Sequence, residues 1–409
     1  MKEYGSYKDL NLEWIGKIPE HWKVKKVKYN FSFRTGFTPP SGKTEYYQEG
    51  TNVWINISDL QNRVVSDSVN KITDKAIEDF KPTVVPKGSL LYSFKLSVGR
   101  VAFNSLDCYT NEAIFSIDPD DSTNLNFFYY SLPDQIIRNS NENIYGAKIL
   151  NQELIKNAKL IIPPPEEQTA IANYLDHKTA EIDELIADKK CLLELYEEEK
   201  AAIINQAVTK GLDPNVPMKD SGIEWLGEIP EHWEVKKLKY IANLRSGSNI
   251  VSEQIKEDSF YPVFGGNGIR GFFDEYTHKG NYVLIGRQGA YCGNIQYATG
   301  RFWASEHAVV LTPRTNYQFK YLGELLRIMN LNQYSVSAAQ PGLAVEVIKN
   351  LKIPYTPQNE QNIIVHYIEI KYNLIDTKIA KTQKLIELLT EYRTALISEV
   401  VTGKIKVTD

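Results

Sequence analysis

The chain has 409 residues, 42% of them hydrophobic and 24% charged, with a net charge of −4. That balance fits a globular protein of two or three domains and excludes a disordered or fibrous chain. No apolar run approaches the roughly 18 residues a membrane span needs, and the opening MKEYGSYKDL has no apolar signal-peptide core, so a cytoplasmic location is expected.

Charge is unevenly spread, with 20 basic against 19 acidic side chains over residues 1–165, 5 against 11 over 166–210, 15 against 14 over 211–353 and 7 against 7 beyond. Any basic surface for a polyanion must therefore be a local patch. Cys108, Cys191 and Cys292 are too scattered for a disulfide framework or a zinc site and are read as passive; no metal site is expected.

Residues 13–29, EWIGKIPEHWKVKKVKY, recur at 224–240 as EWLGEIPEHWEVKKLKY, identical at 13 of 17 positions. Trp14/Trp225, Pro19/Pro230, His21/His232, Trp22/Trp233 and Lys25-Lys26/Lys236-Lys237 are among the identities. Two roles fit this repeat: a DNA clamp, or Trp and Pro anchoring a lead-in segment on a core. From Tyr29 to Ile162, short apolar or alternating runs (VWINI, SLLYSF, RVAF, AIFSI) between Gly, Pro, Asn and Asp turns predict a sheet-rich head with one helix near Phe127 to Asn139.

Pro163 to Gly211 reads as one long helix of about 60 Å. Apolar residues return at Leu175, Ile182, Tyr196 and Ile203, joined by Leu185 and Leu192, while Lys189 interrupts the seam. Pro165 suits the first helical position, Glu166 and Glu167 suit the positive dipole end, and Gly211 suits a C-terminal cap. Glu181 and Asp183, flanking Ile182, are expected to face solvent. YPVFGG, NYVLIG, GNIQYA and AVVLTP then predict a second, diverged and shorter sheet-rich head, with a helix at about Phe319 to Leu331. Finally Ile368, Ile375, Thr382, Leu389 and Leu396 repeat the first seam 193 residues on, with Thr356-Pro357 as cap and first residue. A heptad stripe alone also suits a core helix or a homodimeric coil, but two copies in one chain favour an intramolecular pair.

The expected fold is α+β: heads at 1–162 and 212–353, long helices at 163–211 and 354–409, the helices forming an antiparallel coiled coil with an internal pseudo-twofold. The head–rod–head–rod layout, with EWIGKIPEHW and EWLGEIPEHW before the heads and IIPPPEEQTAIANYLD and KIPYTPQNEQNIIVHYI opening the rods, resembles the DNA-specificity subunit of Type I restriction-modification enzymes. YPVFGGNGIRGFF and VLIGRQGAYCGNI add to the likeness. It implies two target-recognition domains reading the two halves of a bipartite site in double-stranded DNA. It also implies two methyltransferase partners that carry S-adenosylmethionine for adenine methylation, optionally joined by two motor-nuclease subunits.

Enzymatic readings fail on the residues. Phe264-Gly265-Gly266-Asn267-Gly268 satisfies an F-x-G-x-G methyltransferase pattern without a companion N-P-P-Y, and is read as a turn. GFTPPSGKT at Gly36 to Thr44 has one residue too many for a P-loop, and two prolines where backbone N–H groups must face phosphate. Asp188/Lys190 and Glu198/Lys200 resemble nuclease triplets but fall on the rod. No catalytic or cofactor-binding residue is expected in this chain; a two-headed protein-interaction scaffold is the alternative from another class.

Features common to both heads can hold phosphate or maintain the fold, whereas reading two different half-sites needs residues that differ. Arg34 and Arg245, each two residues before Gly36 or Gly247, are thus candidates for phosphate, or plain surface arginines at strand ends. Candidates for base edges are Lys43, Tyr46, Tyr47, Asn56 and Lys148 in the first head, and Asn267, Arg270, Arg287, Gln288 and Gln340 in the second.

Overall fold

The structure is a computed structural model describing residues 3–10, 16–95, 97–120, 122–142, 148–289, 291–314, 317–335 and 342–408. Trp14 and Gln340 lie outside the described residues, as does the side chain of Lys148. Two compact units form, Met1–Asp188 with Leu385–Asp409, and Lys189–Lys384. The units cut across the four sequence segments: each takes one head and a part of each long helix. No helix among the described residues is long and apolar enough to cross a membrane.

The first long helix runs Pro165–Lys210 and stops where Gly211 turns left-handed at φ +74. The second, Gln358–Val401, begins one residue past the expected Pro357 and is followed by Gly403 at φ +76. In the second unit Lys378 Nζ lies 5.4 Å from the Tyr196 ring centre and Lys200 Nζ 2.7 Å from Asp376 Oδ1. Numbers rise on one helix as they fall on the other, so the pairing is antiparallel. Ile368, Ile375 and Thr382 are buried along it. In the first unit Leu175, Ile182, Leu396 and Val400 share one core. One sequence expectation is corrected there. Leu185 is exposed and Ile186 packs on the core in its place, because at 3.6 residues per turn position 186 lies closer to the line of Ile182. Asp183 is exposed as expected, and there takes two hydrogen bonds from Arg393, at 2.8 and 3.0 Å.

Each head is built on a sheet of matching order. In the first unit it runs Arg34–Thr35, Ile114–Ile117, Leu90–Ser93, Val101–Asn104, Val64–Val65, antiparallel except for the last pair. In the second it runs Ala242–Ser246, Ala308–Pro313, His278–Gly286, Ile295–Ala304, Tyr261–Gly265, again with only the last of these pairs parallel. Strand periodicity fills two cores at once. Leu90, Tyr92, Phe115 and Ile117 face one core, while Leu91, Ala102 and Ile114 face another; Val283, Ile285, Val309 and Leu311 alternate with Leu284 and Val310 in the same way. The heads differ in what is added. The first carries a small sheet of Tyr109–Thr110, Asn52–Ile55 and Lys71–Ile72 with the helix Asp74–Phe80, and the second an outer strand Gly268–Phe273.

The repeated lead-in is an anchor. Strand Lys23–Lys26 pairs with Lys159–Ile162, which leads into the first long helix, and Glu234–Lys237 pairs with Lys352–Tyr355, which leads into the second. The indoles of Trp22 and Trp233 are fully buried. Trp22 Nε1 donates to Glu167 at 3.0 Å, and His21 Nε2 lies 2.5 Å from the same carboxylate. Trp233 Nε1 and His232 Nε2 meet Glu360 in the same way, at 3.0 and 2.9 Å. Each carboxylate sits in the first turn of its long helix, where the helix dipole favours negative charge.

Candidate nucleic-acid interface

The Arg-x-Gly triplets occupy matching places. Gly36 N donates to Ile114 O at 3.2 Å and Gly247 N to Ala308 O at 2.9 Å. A Cβ on either glycine would collide with a backbone carbonyl, of Thr110 or of Ala304 and Ser305, so close approach of two strands demands glycine. The arginines differ in surroundings: Arg34 forms an ion pair with Asp118, and Arg245 is exposed.

In the second head three turns converge next to Arg245. Gly266 and Gly286 pack backbone to backbone, which brings the hairpin tip at Asn267 against the loop that starts at Arg287. Arg287 Nη1 donates to Ser246 Oγ at 3.3 Å, and its N–H to His307 O at 2.9 Å. His307 Nδ1 lies 3.0 Å from Gln288 Oε1, and His307 Nε2 lies 3.0 Å from Glu306 Oε1. Asn294 Nδ2 donates to Asn267 Oδ1 at 2.8 Å. Arg270 is exposed, its stem lying over Gly265. Of the sequence candidates, Arg287, Gln288 and Asn267 thus stand beside residues that the sequence did not single out, Ser246, His307 with Glu306, and Asn294, while Arg270 stands apart from them. Ser305 Oγ and Glu306 Oε2 are buried with no hydrogen-bond partner among the described residues. The arrangement offers donors and acceptors of both kinds, the chemistry that base edges demand.

In the first head the matching turn is Asn111-Glu112. Asn111 Nδ2 donates to Asn56 Oδ1 at 3.1 Å, and Thr38 donates to Glu112. A signal for it was present, since T-N-E-A in one head answers A-S-E-H-A in the other. Lys43 is exposed, 4.0 Å from Glu45. Tyr47 is half-buried and donates to Pro39 O; burial, helped by nearby Glu112, pushes its phenol up. Tyr46 is corrected: it is buried with Trp54, Ile72 and Ala76, and its hydroxyl donates to Asp79 at 3.1 Å, so it packs the added sheet instead of presenting an edge. Lys148 is placed by its backbone alone, in the strand Lys148–Ile149 paired with Asn141–Glu142.

The enzyme-like motifs take structural roles. Gly265 and Gly268 close a two-residue hairpin. The stretch from Gly36 to Thr44 leads into a three-residue 3-10 turn, Thr44–Tyr46, and not into a helix whose N-terminus could hold phosphate. Among the described residues no group of three or more His, Cys, Asp or Glu side chains is placed to hold a metal ion.

A family model described as the Type I restriction modification DNA specificity domain matches residues 19–195 and again 230–388. The chain is 29% identical over 394 residues to the Type I restriction enzyme EcoprrI specificity subunit of Escherichia coli, covering 91% of this chain and 94% of that protein. It is 28% identical over 425 residues to the MjaIX specificity subunit of Methanocaldococcus jannaschii, covering 96% and 95%. A solved structure described as the basis of complex assembly and conformational transition of the type I R-M system matches with a TM-score of 0.73 at 14% identity, over 95% of this chain and 99% of that one. The HsdS subunit from Thermoanaerobacter tengcongensis matches with a TM-score of 0.59 at 16% identity, over 98% and 100%. The two structures speak for the fold.

Proposed function

The chain belongs to the Type I restriction-modification DNA-specificity family, whose model covers it twice, and on that premise we propose that it is a non-catalytic recognition subunit reading a bipartite DNA site with one head per half. One observation carries the reading. The two heads share strand order and direction yet differ in the side chains at the matching turn, where Asn111 donates to Asn56 in one and His307 meets Gln288 in the other. A common frame with unlike edges is what two unlike half-sites require.

Catalysis is assigned to partners, two methyltransferase subunits carrying S-adenosylmethionine, with motor-nuclease subunits as an optional addition. Support for docking comes from the second long helix, which exposes apolar residues away from its buried seam: Ile363, Ile370 and Leu374 in the second unit, Leu385, Leu388 and Tyr392 in the first. Such stripes mark surfaces that a partner covers.

The test is methylome sequencing of a host expressing this chain with its methyltransferase. The expected result is adenine methylation at one two-part motif, set by this chain. Methylation that ignores it, or methyl transfer by the purified chain alone, defeats the reading.

A further inference from the structure

The anchor explains Trp22, His21 and their counterparts, but not the tail of the repeat, Lys-Lys-x-Lys-Tyr at 25–29 and 236–240. Tyr29 is 71% exposed and Tyr240 is 65% exposed, so neither ring is kept for packing. In each unit a lysine ammonium lies over that ring, Lys28 at 5.2 Å from its centre and Lys239 at 5.5 Å. The sheet adds a second lysine from far along the chain, for Lys26 stands opposite Lys159 and Lys237 opposite Lys352. A short helix before that strand supplies Lys156 and Asn157, or Lys349 and Asn350. The asparagines receive Lys26 Nζ at 3.4 Å and Lys239 Nζ at 3.0 Å.

These positions are identical between the units, while core neighbours between them have changed, Ala158 to Leu351 and Leu160 to Ile353. Acids accompany them: Glu153 accepts from Asn157, and Glu346 lies 3.5 Å from Lys349. The patch keeps a positive excess in a chain whose net charge is −4.

We propose that each unit carries, apart from its base-reading turns, a lysine–tyrosine patch around Tyr29 or Tyr240 that grips DNA backbone phosphates without regard to sequence. This rests on the reading of the chain as a DNA-recognition subunit. Ammonium groups and a phenol hydroxyl are donors suited to phosphate oxygens, and an identical patch in two heads of unlike specificity cannot discriminate between half-sites. Its contribution is charge neutralisation with release of counterions, which makes it strongly salt-dependent.

The test replaces Lys28, Lys159, Lys239 and Lys352 together by Gln in the full chain assembled with its methyltransferase. Affinity for a cognate duplex and for a shuffled one of equal length is measured across about 50 to 200 mM salt, a window in which phosphate neutralisation dominates the change. Both affinities are expected to fall by the same factor, their ratio is kept, and the slope of log K against log salt shrinks by about 0.9 for each phosphate no longer neutralised. The same four positions changed to Arg are expected to keep the slope. Should the quadruple variant fail to fold, Lys28/Lys159 and Lys239/Lys352 are substituted separately and each is expected to remove half the effect. An unchanged slope overturns the patch, as does a fall confined to the cognate duplex. Loss of methyltransferase assembly with the slope intact also overturns it and assigns the surface to a protein partner. If the unaltered complex binds both duplexes equally, the recognition reading fails, while the slope still judges the patch.

Discussion

Trp233 Nε1 donates to Glu360 Oε2 at 3.0 Å across 127 residues of sequence, and the fully buried indole thereby ties the start of the second head to the first turn of the second long helix. Gly211, ending the first long helix, sits against the same indole, close enough that a Cβ would lie 3.5 Å from it and 3.2 Å from Glu360. Three segments of the second unit meet at one side chain. Trp22, Glu167 and Gly403 make the matching junction in the first.

Glu360→Ala should leave the buried Trp233 N–H without an acceptor and destabilise the second unit by about 1–3 kcal/mol. Trp233→Ala should remove about 3–5 kcal/mol by opening a cavity. Chemical denaturation of both variants checks the order; equal stability of Glu360→Ala and the parent would refute the tie.

Acid should loosen the first unit. Burial would raise the Glu167 carboxyl, but hydrogen bonds from His21, Tyr4 and Trp22 outweigh it and hold it below the ordinary glutamate range. Burial likewise opposes, and bonds from Arg63 and Tyr130 outweigh, at Asp176. Folded values below the unfolded ones mean that this stabilisation is present above the ordinary carboxylate range and is lost as pH falls through the folded values. The melting temperature is therefore expected to drop below about pH 5, modestly because both groups are partly exposed, and Glu167→Gln with Asp176→Asn should flatten the dependence.

A charge on the helix seam should be costly where a charge beside it is not. Ile182→Glu or Ile375→Glu places a carboxylate among buried side chains and should cost several kcal/mol, on the order of 3 or more. Asp183→Lys loses the exposed pair with Arg393 and should cost about 1 kcal/mol or less. Thermal melts that rank Asp183→Lys as the worse change would contradict the seam.

Exchange of residues 222–353 for the corresponding head of a relative should alter one half of the methylated motif and leave the other unchanged. Changes in both halves, read by methylome sequencing, would show that the heads do not read separately.

What could be read from the sequence was local or repeated. Helix ends at Pro165 and Gly211 rest on fixed φ, dipole and left-handed backbone, properties of single residues, and the seam through Ile182 and Ile375 follows from periodicity. The match at 13 of 17 positions exposed the two-headed plan, and the likeness to the specificity family followed from it. Tertiary structure alone decided which chemistry-bearing residues meet. His307 joins Gln288 because the strands that flank them pair with Gly286 opposite Ala308, and Tyr46 is withdrawn from the surface by a small sheet whose strands come from residues 52 and 109. No periodicity encodes such meetings, because they depend on strand register across long loops. The same holds for Glu167 and Glu360: each sits in the first turn of a long helix, but only a buried indole 145 or 127 residues away in the lead-in repeat explains why those carboxylates sit there.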